Sequence, residues 1–270
     1  MPVLVTGAEH GLGAAVTEQL LAAGGEVRAF LDATSVGDDV AAALRARGCK
    51  VAVGELDDEG HMEAALAQVH TVAHCVVGPL EDPAAQVANA ATLASALLGA
   101  GVRRLVWVRE LAADPTNPYL AALDEIDDLF EDLPVETVRL STAVRYGPAD
   151  PLTRRLAAGW VSATAVDLDT PHAPIHLDDV ARAVIAADRQ RAAAADLHMR
   201  LGLVGPEAMS LGELLARLGA PAEERAARRA DAAPAWLTDW LSHAAVGPPD
   251  GPAPMTVARG AIHLPTPAAR

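Results

Sequence analysis

Pro2-Val3-Leu4-Val5-Thr6-Gly7-Ala8-Glu9-His10-Gly11-Leu12-Gly13 opens the chain and runs directly into Ala14-Ala15-Val16-Thr17-Glu18-Gln19-Leu20-Leu21-Ala22-Ala23-Gly24. The pattern is a short apolar strand, a glycine turn and an amphipathic helix. Glycine at such a turn permits positive φ and close approach of the backbone to a pyrophosphate, while the amide groups and positive dipole end of the new helix face the anion. Gly7, Gly11, Leu12 and Gly13 then form a dinucleotide cradle. A glycine triplet can also be a plain tight turn in an alanine- and glycine-rich chain, so the surroundings must decide. A second strand over residues 26–31 ends at Asp32, nineteen residues past Gly13. A carboxyl at that place can take adenosine ribose hydroxyls. The roles of Glu9 and His10 inside the loop stay open, because a carboxylate beside a pyrophosphate is unfavourable unless it points to solvent.

The 270 residues can bury a large core, and length alone permits one or two domains. Half the chain is apolar and only 3% is aromatic, which favours tightly packed helices and sheet over disorder. No apolar run approaches the length of a membrane span, and the chain starts on a strand without a charged leader, so a cytoplasmic location is expected. A formal charge of −15 disfavours nucleic acid and anionic membrane surfaces as partners. The pairs Arg103-Arg104, Arg154-Arg155 and Arg228-Arg229 read as solvated faces. Cys49 and Cys75 fit reduced core thiols, and the nine histidines lack metal-ligand spacing, so no metal is expected.

Strand-like and helix-like segments alternate through the first half, the pattern of a parallel sheet covered on both faces. Strands are expected over residues 3–6, 26–31, 50–53, 71–76, 104–108 and 135–140, and helices over 11–23, 40–47, 61–67, 84–98 and 119–130. After Pro148 the pattern loosens into a helix over 152–157, an extended pair near 165–175, and helices over 177–187 and 211–218. The fold class is therefore α/β, a Rossmann-type doubly wound parallel sheet with a small C-terminal substrate-cap region. Residues 1–148 form the NAD(P)-binding domain, with elements from 176–204 returning to it. Residues 149–270 are mostly cap and tail, with a break in regular structure at 248–254.

Several segments together resemble the extended and atypical branch of the short-chain dehydrogenase/reductase (SDR) superfamily, which holds nucleotide-sugar epimerases and NmrA-like NAD(P)-binding proteins. Thr-Gly-x-x-x-Gly-x-Gly has SDR rather than ordinary Rossmann spacing. Gly54-Glu55-Leu56-Asp57-Asp58 is similar to the turn after the third strand, and the resemblance places Glu55 and Leu56 at the adenine. Val72-Ala73-His74 resembles the fourth strand. Arg139 with Tyr146-Gly147-Pro148 resembles the passage after the sixth strand, with Leu140 in place of a proline. Pro174-Ile175-His176-Leu177-Asp178-Asp179-Val180-Ala181 is close to the segment that closes the substrate side.

One departure bears on chemistry. SDR redox catalysis uses a tyrosine, a lysine four residues later and an upstream serine or threonine, the lysine lowering the tyrosine pKa for proton exchange. Tyr119 aligns with that tyrosine, but Leu123 stands at the lysine position, and the only lysine is Lys50, before the third strand. A phenol with a pKa near 10 is a poor relay at neutral pH, so Tyr119 either packs or does something else. The serine pair at the end of the fifth strand is replaced by Arg109-Glu110. Ligands of open α/β sheets bind outside the carboxyl ends of strands. Glu110 as acid/base with Arg109 holding an anionic oxygen is one reading, and a salt-bridged strand end is the other. His172 and His176 flank the expected cleft, His176 in a family-typical structural place, and Asp178 and Asp179 are expected to cap the following helix.

Asp32 hydrogen-bonds a 2′-hydroxyl and repels a 2′-phosphate, so NAD is the expected cofactor and NADP the less favoured one. The resemblance implies an NAD(P)-binding enzyme acting on a small-molecule substrate, of polyketide or other secondary-metabolite kind, by hydride transfer without the tyrosine–lysine dyad. A non-redox isomerase, dehydratase or cyclase, and a non-catalytic NAD(P)-sensing or partner subunit, are the alternatives. A homo-oligomer or an SDR-like partner chain is compatible with it.

Overall fold

Unbroken runs of apolar residues in a strand present apolar side chains on both faces and place it between two helical layers. The chain does this repeatedly. The computed structural model describes residues 1–34, 36–75, 82–111, 116–161, 166–190, 198–219, 241 and 255–256. Its first half alternates β1 (Val3–Thr6), α1 (Gly11–Ala22), β2 (Val27–Asp32), α2 (Asp38–Ala46), β3 (Lys50–Gly54), α3 (Glu59–Leu66), β4 (Thr71–His74), α4 (Pro83–Ala100), β5 (Arg104–Glu110), α5 (Pro118–Glu131) and β6 (Glu136–Thr142). There follow β7 (Arg145–Tyr146), α6 (Pro151–Ala157), β8 (Pro171–His172), β9 (Ile175–His176), α7 (Leu177–Arg189), β10 (His198–Val204), β11 (Met209–Ser210), α8 (Leu211–Arg217) and β12 (Met255–Thr256).

The main sheet has the order β12-β10-β6-β5-β4-β1-β2-β3, with every pairing parallel. Parallel sheets need cover on both faces, and the period of two sorts the strand residues between them. Leu4, Phe30, Leu105 and Trp107 pack with Leu66 of α3, Leu93 and Leu97 of α4, and Ile126 and Phe130 of α5. Val5, Ala29, Val106 and Val108 pack on the other face with Val16 and Leu20 of α1, Leu44 of α2, and Val180 and Val184 of α7. Each such Val, Leu, Ile or Phe side chain contributes about 1.5–3 kcal/mol on full burial, so the two layers hold the sheet between them. Strand order reverses between β1 and β4, which is where open α/β sheets bind ligands.

Local polar residues set the helix starts. Asp58, Asp82, Asn117, Asp150 and Ser210 each accept a hydrogen bond from a backbone N–H of the helix they precede, and Pro83, Pro118 and Pro151 occupy the first turn. Ser210 and Glu213 complete a reciprocal capping box. These signals move several helix starts one or two residues ahead of the apolar periodicity, as at Asp38 and Pro118.

Three expectations are corrected. Arg104 is not on a solvated face but buried, donating to Glu136 Oε2 and to the Ala187 carbonyl oxygen at 2.9 Å each. The extended segments before α7 do not pair with each other: β8 runs antiparallel to β11, and β9 runs parallel to β7. The cap of α7 is His176, whose Nδ1 accepts from the Asp178 N–H at 3.2 Å, whereas Asp179 turns its carboxyl to Arg182. Residues 248–254, the pair Arg228-Arg229 and the expected strand end at Val76 lie outside the described residues. β10 joins the main sheet beside β6, and Met255–Thr256 adds a short strand beyond it. Among the described residues, no helix is long and apolar enough to cross a membrane.

Candidate functional site

The carboxyl edge of β1, β2 and β3 gathers most of the residues singled out for the dinucleotide. Gly7 and Gly11 have φ of 67° and 54°, a left-handed conformation that glycine adopts without strain. A Cβ on Gly13 would lie 2.1 Å from the Gly7 carbonyl oxygen, so the turn closes onto α1 only with glycine there. The helix then begins without a side-chain cap on its N–H groups. Leu12 is buried in the layer shared by α1 and α7, so its side chain anchors the turn. These features fit a pyrophosphate against the loop. Gly11 also faces the second half of the chain: a Cβ there would come within 3.1 Å of Pro151 Cδ in the first turn of α6.

Asp32 ends β2 beside Gly54, and its carboxyl accepts from the Thr34 N–H at 3.0 Å and the Thr34 hydroxyl at 2.8 Å. That fixes the carboxyl at the strand end. Glu55 is exposed just after β3, its N–H donating to His61 Nδ1, while Leu56 is half-buried against the α3–α5 layer. At the β1–β4 crossover, Thr6 Oγ1 lies 3.0 Å from His74 Nδ1 and accepts from the Cys75 N–H at 3.3 Å. Burial pushes the His74 pKa down to about 4, so a neutral imidazole joins the two strands.

The end of β5 is built differently. Adjacent strand residues point to opposite faces, so Arg109 and Glu110 diverge. Arg109 reaches into α5, bonding Asp124 Oδ1 at 2.7 Å and Asp127. Asp127 also accepts from Trp107 Nε1 at 2.9 Å and from Arg139 at 2.5 Å. Burial pushes the Asp127 pKa up against the pull of both arginines; burial opposes the charge of Arg109 too, but its acidic partners more than offset it.

Glu110 instead meets the start of α5 and the segment after β6. Its Oε1 accepts from Arg145 Nη2 at 2.6 Å, and its Oε2 accepts from the Tyr119 hydroxyl at 2.9 Å. Arg145 also donates to Thr142 Oγ1 at 2.9 Å. Asn117 caps α5 by accepting from the Tyr119 and Leu120 N–H groups, which sets Tyr119 under the strand end. Tyr119 is 1% exposed. Its pKa lies well above the usual phenol value, first because of burial and then because of the negative Glu110. A phenol in that state donates a hydrogen bond but does not release its proton at neutral pH. Leu123 is buried in the core, and Lys50 pairs with Glu26 at 2.9 Å on the outer strand β3.

The two histidines flanking the expected cleft are also engaged. His176 stacks edge-on against Tyr146 with ring centroids 5.1 Å apart, and its capping bond makes Nδ1 an acceptor, which leaves the ring proton on Nε2. His172 is buried with Nε2 2.9 Å from the Leu241 carbonyl oxygen, and burial lowers its pKa. The structure thus brings Glu110 and Tyr119 together, sends Arg109 to α5, and leaves His176 apart at the head of α7. Arg145 is the partner that sequence reasoning missed. Its only local signal is its place directly before Tyr146-Gly147-Pro148.

Residues 2–122 match the NmrA-like family. No curated protein matches the chain in sequence. Among solved structures, the UDP-glucose 4-epimerase of Thermus thermophilus in complex with NAD is 19% identical, over 87% of this chain and 86% of that one, with a TM-score of 0.64. The dTDP-glucose 4,6-dehydratase DesIV of Streptomyces venezuelae, solved with NAD bound, is 20% identical over 82% of each chain, with a TM-score of 0.65. MoeE5 in complex with UDP-glucuronic acid and NAD is 20% identical over 96% of this chain and 89% of that one, with a TM-score of 0.65. The chain therefore shares its fold with these three structures, and its residues 2–122 are similar to the NmrA-like family.

Proposed function

We propose that the protein binds NAD(H) at the β1–β3 edge and reduces or oxidises a small molecule without a proton relay from the β5–α5 corner. The observation that carries this is the buried bond from the Tyr119 hydroxyl to Glu110, which is itself held by Arg145. Tyr119, Glu110 and Arg145 satisfy one another away from solvent, so the corner orients the end of β5 and the start of α5 rather than exchanging protons. Bound NAD supplies the hydride donor or acceptor. Gly7, Gly11, Gly13 and the first amides of α1 hold its pyrophosphate, and Asp32 orients the adenosine end. The neighbours solved with NAD support the choice of cofactor, as does the acidic end of β2.

A substrate suited to such a site needs no phenolic acid, such as an enone or quinone whose reduced form takes its proton from water. The same self-satisfied corner also favours a second reading, a dinucleotide-binding partner or sensor without turnover. Calorimetric titration with NAD+ and NADH, followed by NADH oxidation against a panel of quinones and enones, separates them. Binding with turnover that survives Tyr119→Phe supports the first reading, binding without turnover supports the second, and failure of either nucleotide to bind overturns both.

A further inference from the structure

On the α5 face of the sheet, β6 and β10 carry polar side chains where β5 carries Leu105 and Trp107. The two strands pair with Arg200 opposite Arg139 and His198 opposite Thr137, and the period of two puts all four on that face. Val138 and Leu140 pack on the other one. With Trp107 and Phe130, these four line a cavity of about 460 Å³. Small-molecule sites usually measure roughly 300–1,000 Å³. Trp107 and Phe130, edge to face with ring centroids 5.5 Å apart, belong to the core and close the inner end, whereas His198 and Arg200 are exposed and stand at the mouth. In the sheet order, β5 and β4 separate this cavity from β1 and its glycine loop.

The helix side of the cavity is acidic and the sheet side basic. Arg139 Nη1 donates to Asp127 Oδ2 at 2.5 Å, and Arg200 Nη2 donates to Glu131, one helical turn further along α5. A guanidinium has five N–H donors, and among the described residues nothing else accepts from either arginine. Arg139 Nε is buried without an acceptor; no ligand reaches it, but it shows that donors outnumber acceptors here. A ligand reaches the exposed parts of the two side chains, 25% of Arg139 and 58% of Arg200. We propose that this cavity is a binding site for a small organic monocarboxylate, held by Arg139 and Arg200 and separate from the nucleotide edge. A carboxylate only accepts, and its two oxygens match the parallel N–H groups of a guanidinium. One negative charge suits the site better than two. Asp124, Asp127 and Glu131 already balance Arg109, Arg139 and Arg200, and a formal charge of −15 on the chain repels a dianion more strongly. The organic body of the ligand fills the inner end, towards Trp107 and Phe130.

The test is calorimetric titration of benzoate, cinnamate and hexanoate into the full-length protein without nucleotide, with inorganic phosphate and the amide of each acid as controls. At least one carboxylate is expected to bind saturably, and its amide about tenfold more weakly or worse, the scale of a charge-assisted hydrogen bond. Arg200 is largely exposed, so Arg200→Gln leaves the fold intact; it is expected to weaken the bound carboxylate about tenfold. Glu131→Gln, which releases Arg200, is expected to bind the carboxylate at least as tightly as wild type. Failure of all three carboxylates to bind below about 10 mM overturns the proposal, as does an amide within about twofold of its acid. Binding that Arg200→Gln leaves within about twofold of wild type puts the ligand elsewhere, and tighter binding of phosphate than of any carboxylate removes the monocarboxylate assignment. A tenfold loss in Glu131→Gln gives the carboxyl rather than the guanidinium to the ligand, about equally fatal. None of these results touches the nucleotide reading, which the NAD+ titration decides separately.

Discussion

The two ends of the ligand edge are built on opposite principles. At the β1–β3 end, glycines leave backbone bare, α1 starts without a side-chain cap, and Glu9 holds a buried oxygen with no partner. At the β5–α5 end, Tyr119, Glu110 and Arg145 bond one another, and Asp127 gathers Trp107, Arg109 and Arg139. Unsatisfied polar groups are kept where something else can satisfy them, whereas satisfied networks stabilise and specify one arrangement. The difference teaches that the first end leaves backbone uncommitted, whereas the second commits its side chains to one another, the buried Nε of Arg139 excepted.

The strongest way to break the comparison is Arg145→Ala. It strands Glu110 in a buried place, and removing one partner of a buried pair costs about 3–5 kcal/mol, so urea unfolding should show a loss of that size. A change near zero would mean that the corner is open to solvent and available for chemistry. Asp127→Asn keeps the shape and removes the charge shared by Arg109 and Arg139; a loss of about 2 kcal/mol is expected from the same measurement. Tyr119→Phe leaves the ring in place and takes one donor from Glu110. It should cost about 1–2 kcal/mol and change any turnover by less than about tenfold, whereas a thousandfold loss would make the phenol an essential acid.

The smallest effect is expected at the other end, in Glu9→Gln, and it depends on pH. Burial raises the Glu9 pKa, with Asp32 adding to the rise and His10 opposing it. A carboxyl whose folded pKa is raised contributes stability that is fully present below its ordinary value and is lost as pH rises through the folded one. Wild type and variant should therefore unfold alike in acid, and the variant should become more stable by about 1 kcal/mol as the pH approaches neutrality. Parallel stability curves across that range would place Glu9 in water and remove the contrast.

Much of this contrast was legible in the sequence on one side and little on the other. The glycine loop and Asp32 lie within one strand–turn–helix–strand unit, where spacing fixes relative position. The six strands of the first half declare themselves as apolar runs. The corner depends on contacts across long separations: Arg145 is 35 positions from Glu110, and no local pattern encodes that meeting. The period of two did contain a warning, since neighbours such as Arg109 and Glu110 cannot both face one cleft from a regular strand. The two-residue strands β8 and β9 are too short for periodicity to assign their partners.

Pro151 abuts Gly11, so the first turn of α6 and the glycine loop share a wall. Mechanically, a stiff ring rests there on bare backbone. The guanidinium of Arg155, within α6, lies 4.5 Å from the centre of the Trp160 ring just beyond that helix. A cation held over an indole changes its emission when the distance changes. With the other three tryptophans replaced, the emission of Trp160 would follow the position of the Arg155 guanidinium.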